Sequence, residues 1–172
     1  MKDLEKTLSG GDLRSIGKSN FVASNIKNQT DFDKLFISLL HNDRLVVMRA
    51  ADTIEKITIS HPSYLAKHKK EILDLCDLAI NKELLWHLAL LIPRLHLNKS
   101  EFAKAWATLT KWAKDSNNSR IVRVNSLQGL SDLVQREKDL FKDFKMILVE
   151  MEKENIPSIN ARIRIIRKQI SS

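Results

Sequence analysis

Gly17, Lys18 and Ser19 are the first residues whose types and order could do chemistry. A glycine, a lysine and a serine end the phosphate-binding loop of nucleotide hydrolases, in which the lysine and backbone amides bind phosphate oxygens. That loop needs four residues between its two glycines, with a strand before it and a helix after it. Here five residues separate Gly11 from Gly17, and the charged, helix-like segment 1–8 precedes them. The pattern therefore does not predict a nucleotide site.

Without a phosphate loop, the same segment is interpreted as the start of a helix over 12–28. Gly17 inside that helix would cost about 1 kcal/mol relative to alanine. A glycine kept at that cost indicates the close approach of another backbone or of a ligand. Two interpretations stay open. Either Gly17 allows contact between helices, or Arg14, Lys18 and Asn20 line a groove beside it.

Other reactive residue types lack the spacing that chemistry needs. The five histidines include no i, i+4 pair and no His-Glu-x-x-His motif, so no metal site is predicted. Cys76 lies among leucines without a basic neighbour, which predicts a small buried hydrophobic residue and not a nucleophile. We therefore predict no catalytic residue and no cofactor, and we expect the protein not to be an enzyme.

The composition is typical of one folded domain. Of 172 residues, 43% are hydrophobic and 29% are charged, and we expect a single domain over 1–172. Within it, segment 1–10 is expected to be frayed or to form a short leading helix. The net charge of +8 favours contact with polyanions without identifying one. No apolar run approaches the ~18 residues of a membrane span, and a lone cysteine fits a reducing compartment. We expect a cytoplasmic protein with no membrane partner.

Helical spacing of apolar residues runs through the chain, and no segment alternates as a strand does. Phe102, Trp106, Leu109 and Ala113, for example, share one helical face. We expect an all-α fold of about nine helices, at 12–28, 32–41, 43–59, 63–79, 82–96, 100–114, 119–134, 137–153 and 157–170.

Similar segments recur at a constant interval along the chain. "VVMRAADTIEKI" begins at Val46, "LLWHLALLIPRL" at Leu84, "IVRVNSLQGLSDL" at Ile121 and "SINARIRIIRKQI" at Ser158, which are 37 to 38 residues apart. A repeat of about 37 residues that holds two helices is typical of an α-solenoid. The predicted architecture is a right-handed solenoid of antiparallel helix pairs.

The segment "VMRAADTIEKI" resembles the second helix of a HEAT repeat, of the armadillo-like class. The whole chain resembles a group of small bacterial HEAT-repeat proteins, in which segments akin to "DLRSIGKSN", "MRAADTIEKIT" and "WHLALLIPRL" occur in this order. The resemblance implies the fold and assigns no activity. It also implies that the second helices of successive pairs line a concave surface.

Solvent-facing residues of those second helices are the predicted binding groove. By register, Arg49, Asp52 and Lys56 form one exposed ridge. Trp86 and His87 are interpreted either as core packing with a satisfied imidazole or as groove residues. The predicted groove comprises Arg14, Lys18, Asn20, Arg49, Asp52, Trp86, His87, Arg94, Arg123, Asn125 and Arg162. The alternative is that these charges are solvated and form salt bridges such as that of Arg49 with Asp52.

The sequence thus predicts a monomeric, non-catalytic interaction module that binds an acidic protein segment in a basic concave groove. Arginine suits this role because its planar guanidinium pairs with carboxylates and phosphates. The alternative is nucleic-acid or phosphate binding by the same arginines. Certain alkylpurine DNA glycosylases are built from HEAT-like repeats and use Trp, Asp and Arg in such a groove. Trp86, Asp52, Arg49 and Arg123 offer these residue types, but no motif of that family matches residue by residue.

Overall fold

The computed structural model describes residues 4–11 and 17–171, and most of the segments with helical spacing are helices in it. Within these residues the chain forms ten α-helices and no strand, so the predicted all-α fold is confirmed. The α-helices are α1 Leu4–Leu8, α2 Ser19–Asn25, α3 Gln29–Ile37, α4 Arg44–Ser60, α5 Lys69–Leu78, α6 Lys82–Leu91, α7 Lys99–Lys114, α8 Arg120–Val134, α9 Phe141–Glu152 and α10 Pro157–Ser171. Short 3₁₀-helical segments lie at Ser38–Leu40, Pro62–His68, Ile92–Arg94 and Lys138–Leu140.

Two predicted helices differ most from the observed ones at their starts. The helix predicted over 12–28 is helical from Ser19, because Gly17 adopts a φ of +54° that an α-helix does not allow. Its residues 12–16 lie outside the described part of the chain. The helix predicted over 63–79 begins as the 3₁₀ segment Pro62–His68 and becomes α-helical at Lys69.

The even-numbered helices form a continuous layer. α2, α4, α6, α8 and α10 contact one another in chain order, and α3, α5, α7 and α9 each pack on the even-numbered helix that follows. The core lies between the two sets of helices. Val47, Ala51 and Ile54 are buried there, as the spacing on α4 predicts. Consecutive even-numbered helices therefore share one outer side, which places their outward residues next to each other.

Small residues let α6 and α8 approach closely. Gly129 on α8 is buried and faces the backbone carbonyl of Ala89 on α6. A methyl group at Gly129 would also lie 3.1 Å from Leu109 of α7. The glycine therefore lies where three helices meet and where no space is left for a side chain.

None of the helices in the described ranges is both long and apolar enough to cross a bilayer.

Cys76 is buried, and its thiol donates to the Ile72 carbonyl. Burial raises the pKa of Cys76 to about 12, so the reactive thiolate is scarce at neutral pH. This confirms the prediction of a buried hydrophobic role.

Candidate binding surface

Arg49, predicted to face solvent, is buried with 2% of its surface exposed. Its Nη1 donates to the carbonyl oxygens of Leu8 at 2.7 Å, Ser9 at 3.1 Å and Gly10 at 2.6 Å. The prediction of an exposed ridge containing Arg49 is therefore wrong. The chain that leaves α1 covers the guanidinium, and its carbonyl groups replace water as hydrogen-bond acceptors.

Three glycines lie next to this guanidinium. Gly10, Gly11 and Gly17 all have positive φ values, of +78°, +80° and +54°. A methyl group at Gly17 would lie 2.7 Å from Cζ and Nε of Arg49, and one at Gly11 would lie 3.2 Å from Nη2. Gly17 does allow a close contact with α4, as the first of the two interpretations predicts, but the contact is with the Arg49 side chain and not with the helix backbone.

Arg123 on α8 is likewise 2% exposed, so its predicted position in a groove is wrong. Its Nε donates to the Ala113 carbonyl at 2.7 Å, and its Nη2 donates to Glu154 Oε1 at 2.6 Å. The hydrogen bond from Arg123 holds the pKa of Glu154 below its ordinary value. Arg123 therefore joins the end of α7 to the turn between α9 and α10.

His87 on α6 is also buried, at 5% exposure, and is the third correction to the predicted groove, after Arg49 and Arg123. Its Nδ1 lies 2.9 Å from Oε2 of Glu55 on α4. Trp86 is partly buried against the core, and its ring meets the His87 ring edge-on with centroids 5.5 Å apart. The interpretation of this pair as core packing with a satisfied imidazole is the one that the structure supports.

Two arginines that follow even-numbered helices bind near the C-terminal end of the preceding even-numbered helix. Arg94, after α6, donates to the Glu55 carbonyl at 2.6 Å and to Thr58 Oγ1 at 2.7 Å. Arg136, after α8, donates to the Pro93 and Leu95 carbonyls at 2.9 and 2.8 Å. Cations near the C-terminal end of a helix also interact favourably with its dipole. Sequence analysis missed Arg136, which lies 42 residues after Arg94 and is therefore out of register with the repeat of 37 to 38 residues.

The residues that do reach the surface form what we call the polar face. It comprises outward residues of the even-numbered helices together with Lys18 just before α2 and Arg94 just after α6. The full set, none of which is buried, is Lys18, Asn20, Asp52, Lys56, Arg94, Asn125, Gln128, Asp132 and Arg162. Arg14, the remaining predicted groove residue, lies outside the described residues.

Side-chain hydrogen bonds cross the polar face from helix to helix. Lys56 Nζ donates to Asn20 Oδ1 at 2.8 Å and to Asp52 Oδ2 at 2.6 Å, which joins α2 to α4. Asn125 Nδ2 donates to the Trp86 carbonyl at 3.3 Å, joining α8 to α6. Arg162 Nη1 donates to Gln128 Oε1 at 2.8 Å, joining α10 to α8. The structure thus brings the predicted Asn20, Asp52, Asn125 and Arg162 onto one surface.

Charges of both signs alternate along this face. Lys56, Arg94 and Arg162 supply positive charge, while Asp52 pairs with Lys56 and Asp132 interacts with both Arg94 and Arg162. Glu55 adds a third carboxylate beside Arg94, 3.6 Å from its Nη2. A surface of this kind matches a ligand that carries both donors and acceptors. In the ranges that the structure describes, no three His, Cys, Asp or Glu residues are placed to hold a metal ion.

The pair of Glu55 and His87 makes stability depend on pH. Burial by itself raises the pKa of Glu55, but the hydrogen bond and charge of His87, with the charges of Arg94 and Lys56, outweigh it. The pKa of Glu55 therefore lies below its ordinary value of 4.5. A carboxylate of this kind stabilises the folded state above its unfolded pKa, and this contribution is lost as the pH falls through its folded pKa.

Glu55→Gln is thus expected to lower the free energy of unfolding at neutral pH by about 1–2 kcal/mol, because the buried imidazole loses a charged partner. The difference from the wild type should shrink as the pH falls towards about 3. Urea denaturation at a series of pH values measures both effects. Glu71→Gln, on an exposed residue, is the matched control and should show a small difference at every pH. A Glu55→Gln difference that stayed constant with pH would contradict this account.

These features define an all-α protein with a layer of five helices whose outer side is polar and of mixed charge. Comparison of the chain with models of protein families, with curated proteins and with solved structures finds no match.

Proposed function

We propose that the protein is a non-catalytic interaction module, built as a right-handed HEAT-like solenoid of antiparallel helix pairs. The recurrence of similar segments every 37 to 38 residues supports this architecture. The contacts of α2, α4, α6, α8 and α10 in chain order support it further. In such a stack, the aligned outer sides of successive helices form an extended surface that suits a binding role.

The polar face is the proposed binding surface, and its ligand is an extended protein segment. The observation that carries this proposal is the row of amide and charged side chains on consecutive helices, from Asn20 and Lys56 to Asn125 and Arg162. Amide side chains offer both a donor and an acceptor, which suits the main chain of a peptide. The alternating charges favour a segment that carries basic side chains as well as the acidic ones predicted from the sequence.

Nucleic acid is the less favoured ligand for this face. Affinity for a phosphate backbone comes from many cations that replace condensed counterions. Asp52, Glu55 and Asp132 lie among the cations here and would repel phosphates. Arg49 and Arg123, which a glycosylase-like groove would need, are each 2% exposed. A protein segment therefore fits the polar face better.

Charge reversal at Lys56 and Arg162 tests the proposal. Affinity purification from the host, with quantitative mass spectrometry, should show partner proteins enriched on the wild-type chain. Lys56→Glu with Arg162→Glu is expected to reduce that enrichment at least about tenfold, equivalent to about 1.4 kcal/mol. Thermal melting should confirm that this variant stays folded.

Lys34→Glu with Lys70→Glu is the matched control, since it makes the same charge change at exposed residues of α3 and α5. This control should keep the wild-type partners. Equal enrichment on the polar-face variant would refute the proposed surface. Loss of every partner after nuclease treatment of the lysate would instead assign the surface to nucleic acid.

A further inference from the structure

A second surface lies on α9, away from the polar face. A cleft of about 270 Å³ runs between α9 and α10 and contacts Phe141, Lys145 and Val149. It continues into a shallower depression of about 510 Å³ along α9, next to Lys142, Met146 and Lys153. Because Lys145 and Val149 line both, the two form one continuous surface, which we call the α9–α10 surface.

The α9–α10 surface exposes apolar side chains in a helical stripe. Met146 is 63% exposed and Val149 is 48% exposed. Each square ångström of apolar surface removed from water contributes about 25 cal/mol to association. From Lys142 to Lys153 the stripe runs ~16 Å along the helix, about three turns. Its length and its cleft match the apolar face of one short helix, which inserts side chains at i, i+3, i+4 and i+7 spacing into such grooves.

Positive charge borders this apolar stripe. Within the described residues, Lys142 and Lys153 have no ion-pair partner, and Lys145 Nζ lies 4.6 Å from the centre of the Phe141 ring. The nearby acids are already occupied. Glu150 pairs with Lys114 of α7, and Glu152 binds Arg167 of α10 through two hydrogen bonds.

One further acid on α9, Asp143, lines neither the cleft nor the depression. The border of the α9–α10 surface therefore has three lysines that can attract carboxylates. A second copy of this chain does not fit, because two such surfaces facing each other would bring lysine rows together.

We propose that the α9–α10 surface binds an acidic amphipathic helix of a partner protein. Apolar side chains of that helix contact Met146 and Val149 and fill the cleft beside Phe141. Its Asp and Glu residues pair with Lys142, Lys145 and Lys153 at the border. This site is separate from the polar face, so it stands or fails independently of the proposed function.

A display library of randomised helices of about 16 residues, long enough to exceed three turns, tests the proposal with the full-length chain as bait. Enriched sequences should carry apolar residues at i, i+3 or i+4, and i+7, with an excess of Asp and Glu. Fluorescence anisotropy with a consensus peptide should show weaker binding as the salt concentration rises, because exposed ion pairs are screened. Met146→Glu with Val149→Glu should weaken that binding at least about tenfold.

Ile80→Glu is the matched control, because Ile80 is 89% exposed on a different part of the surface. It should leave the affinity unchanged. The proposal is overturned if no sequence is enriched, if the enriched sequences are basic, or if the α9 variant binds as well as the wild type. It is also overturned if sedimentation shows a dimer that Val149→Glu abolishes, or if vesicles of phosphatidylserine bind the wild type and not that variant.

Discussion

Replacing Gly129 with alanine is expected to lower the free energy of unfolding by roughly 2–4 kcal/mol. The added methyl group would overlap the backbone carbonyl oxygen of Ala89 and would lie 3.1 Å from Leu109. A flexible side chain could move aside, but the Ala89 carbonyl belongs to the α6 backbone. α6 and α8 must therefore separate, which opens space along one of the largest helix contacts of the molecule. Urea denaturation followed by far-UV circular dichroism measures the loss.

This prediction opposes helix propensity, which makes it a sharp test. In a helix without neighbours, Gly→Ala stabilises by about 1 kcal/mol. A Gly129→Ala variant as stable as the wild type, or more stable, would show that α6 and α8 are not in close contact. Ala107→Val on the exposed side of α7 is the control, since it adds more atoms where no helix packs. It should cost less than about 1 kcal/mol.

Arg49→Ala is expected to remove roughly 2–4 kcal/mol of stability, a large part of the 5–15 kcal/mol typical of a domain. The change leaves the carbonyls of Leu8, Ser9 and Gly10 without their donor. Leu8 is buried, and a buried acceptor that loses its partner costs about 1–3 kcal/mol, whereas water can replace the donor at the exposed Ser9 and Gly10. Arg49→Lys should recover little of the loss, because an ammonium lacks the planar fork of the guanidinium. Chemical denaturation gives the total, and hydrogen exchange of α1 amides shows whether α1 is released.

A double-mutant cycle with Gly17 distinguishes this arrangement from a general loss of packing. When Arg49 is present, Gly17→Ala places a methyl group 2.7 Å from the Arg49 guanidinium and forces alanine into a positive φ. In the Arg49→Ala background only the backbone strain remains, about 1 kcal/mol. The two changes should therefore be strongly non-additive. Additive effects would mean that Gly17 and Arg49 do not interact.

The fold class follows from the sequence because the apolar period is strong and is repeated in every segment. The period predicts α4, α7 and α8 to within about two residues, the usual error at helix ends. It fails at α2, where the positive φ of Gly17 delays the start of the helix. A glycine before a helix carries no sign of its φ in the sequence, so spacing alone could not predict that turn.

The candidate site is only partly predictable, because a helical wheel describes one helix without its neighbours. By register Arg49 and Arg123 project away from the apolar stripe, and the prediction of an exposed groove rests on that projection. In the molecule, residues 8–10 cover Arg49, and the Ala113 carbonyl and Glu154 meet Arg123. These contacts join residues up to about 40 positions apart in the sequence. The spacing of residues within one helix therefore cannot predict them. Asn20, Asp52 and Asn125 are not buried by any of the described residues, which agrees with the outward position that their register predicts.

The arginines after α6 and α8 have a consequence for how the molecule unfolds. In proteins of stacked helix pairs, the balance between the stability of each pair and its coupling to the next determines whether pairs unfold singly or together. Arg94 and Arg136 each join their own helix to backbone carbonyls near the end of the preceding even-numbered helix. Neither α6 nor α8 can open locally without breaking these bonds, so the free energy of partial opening is raised towards that of global unfolding. The arginines therefore make the unfolding of successive even-numbered helices cooperative, and α4, α6 and α8 should melt in a single transition.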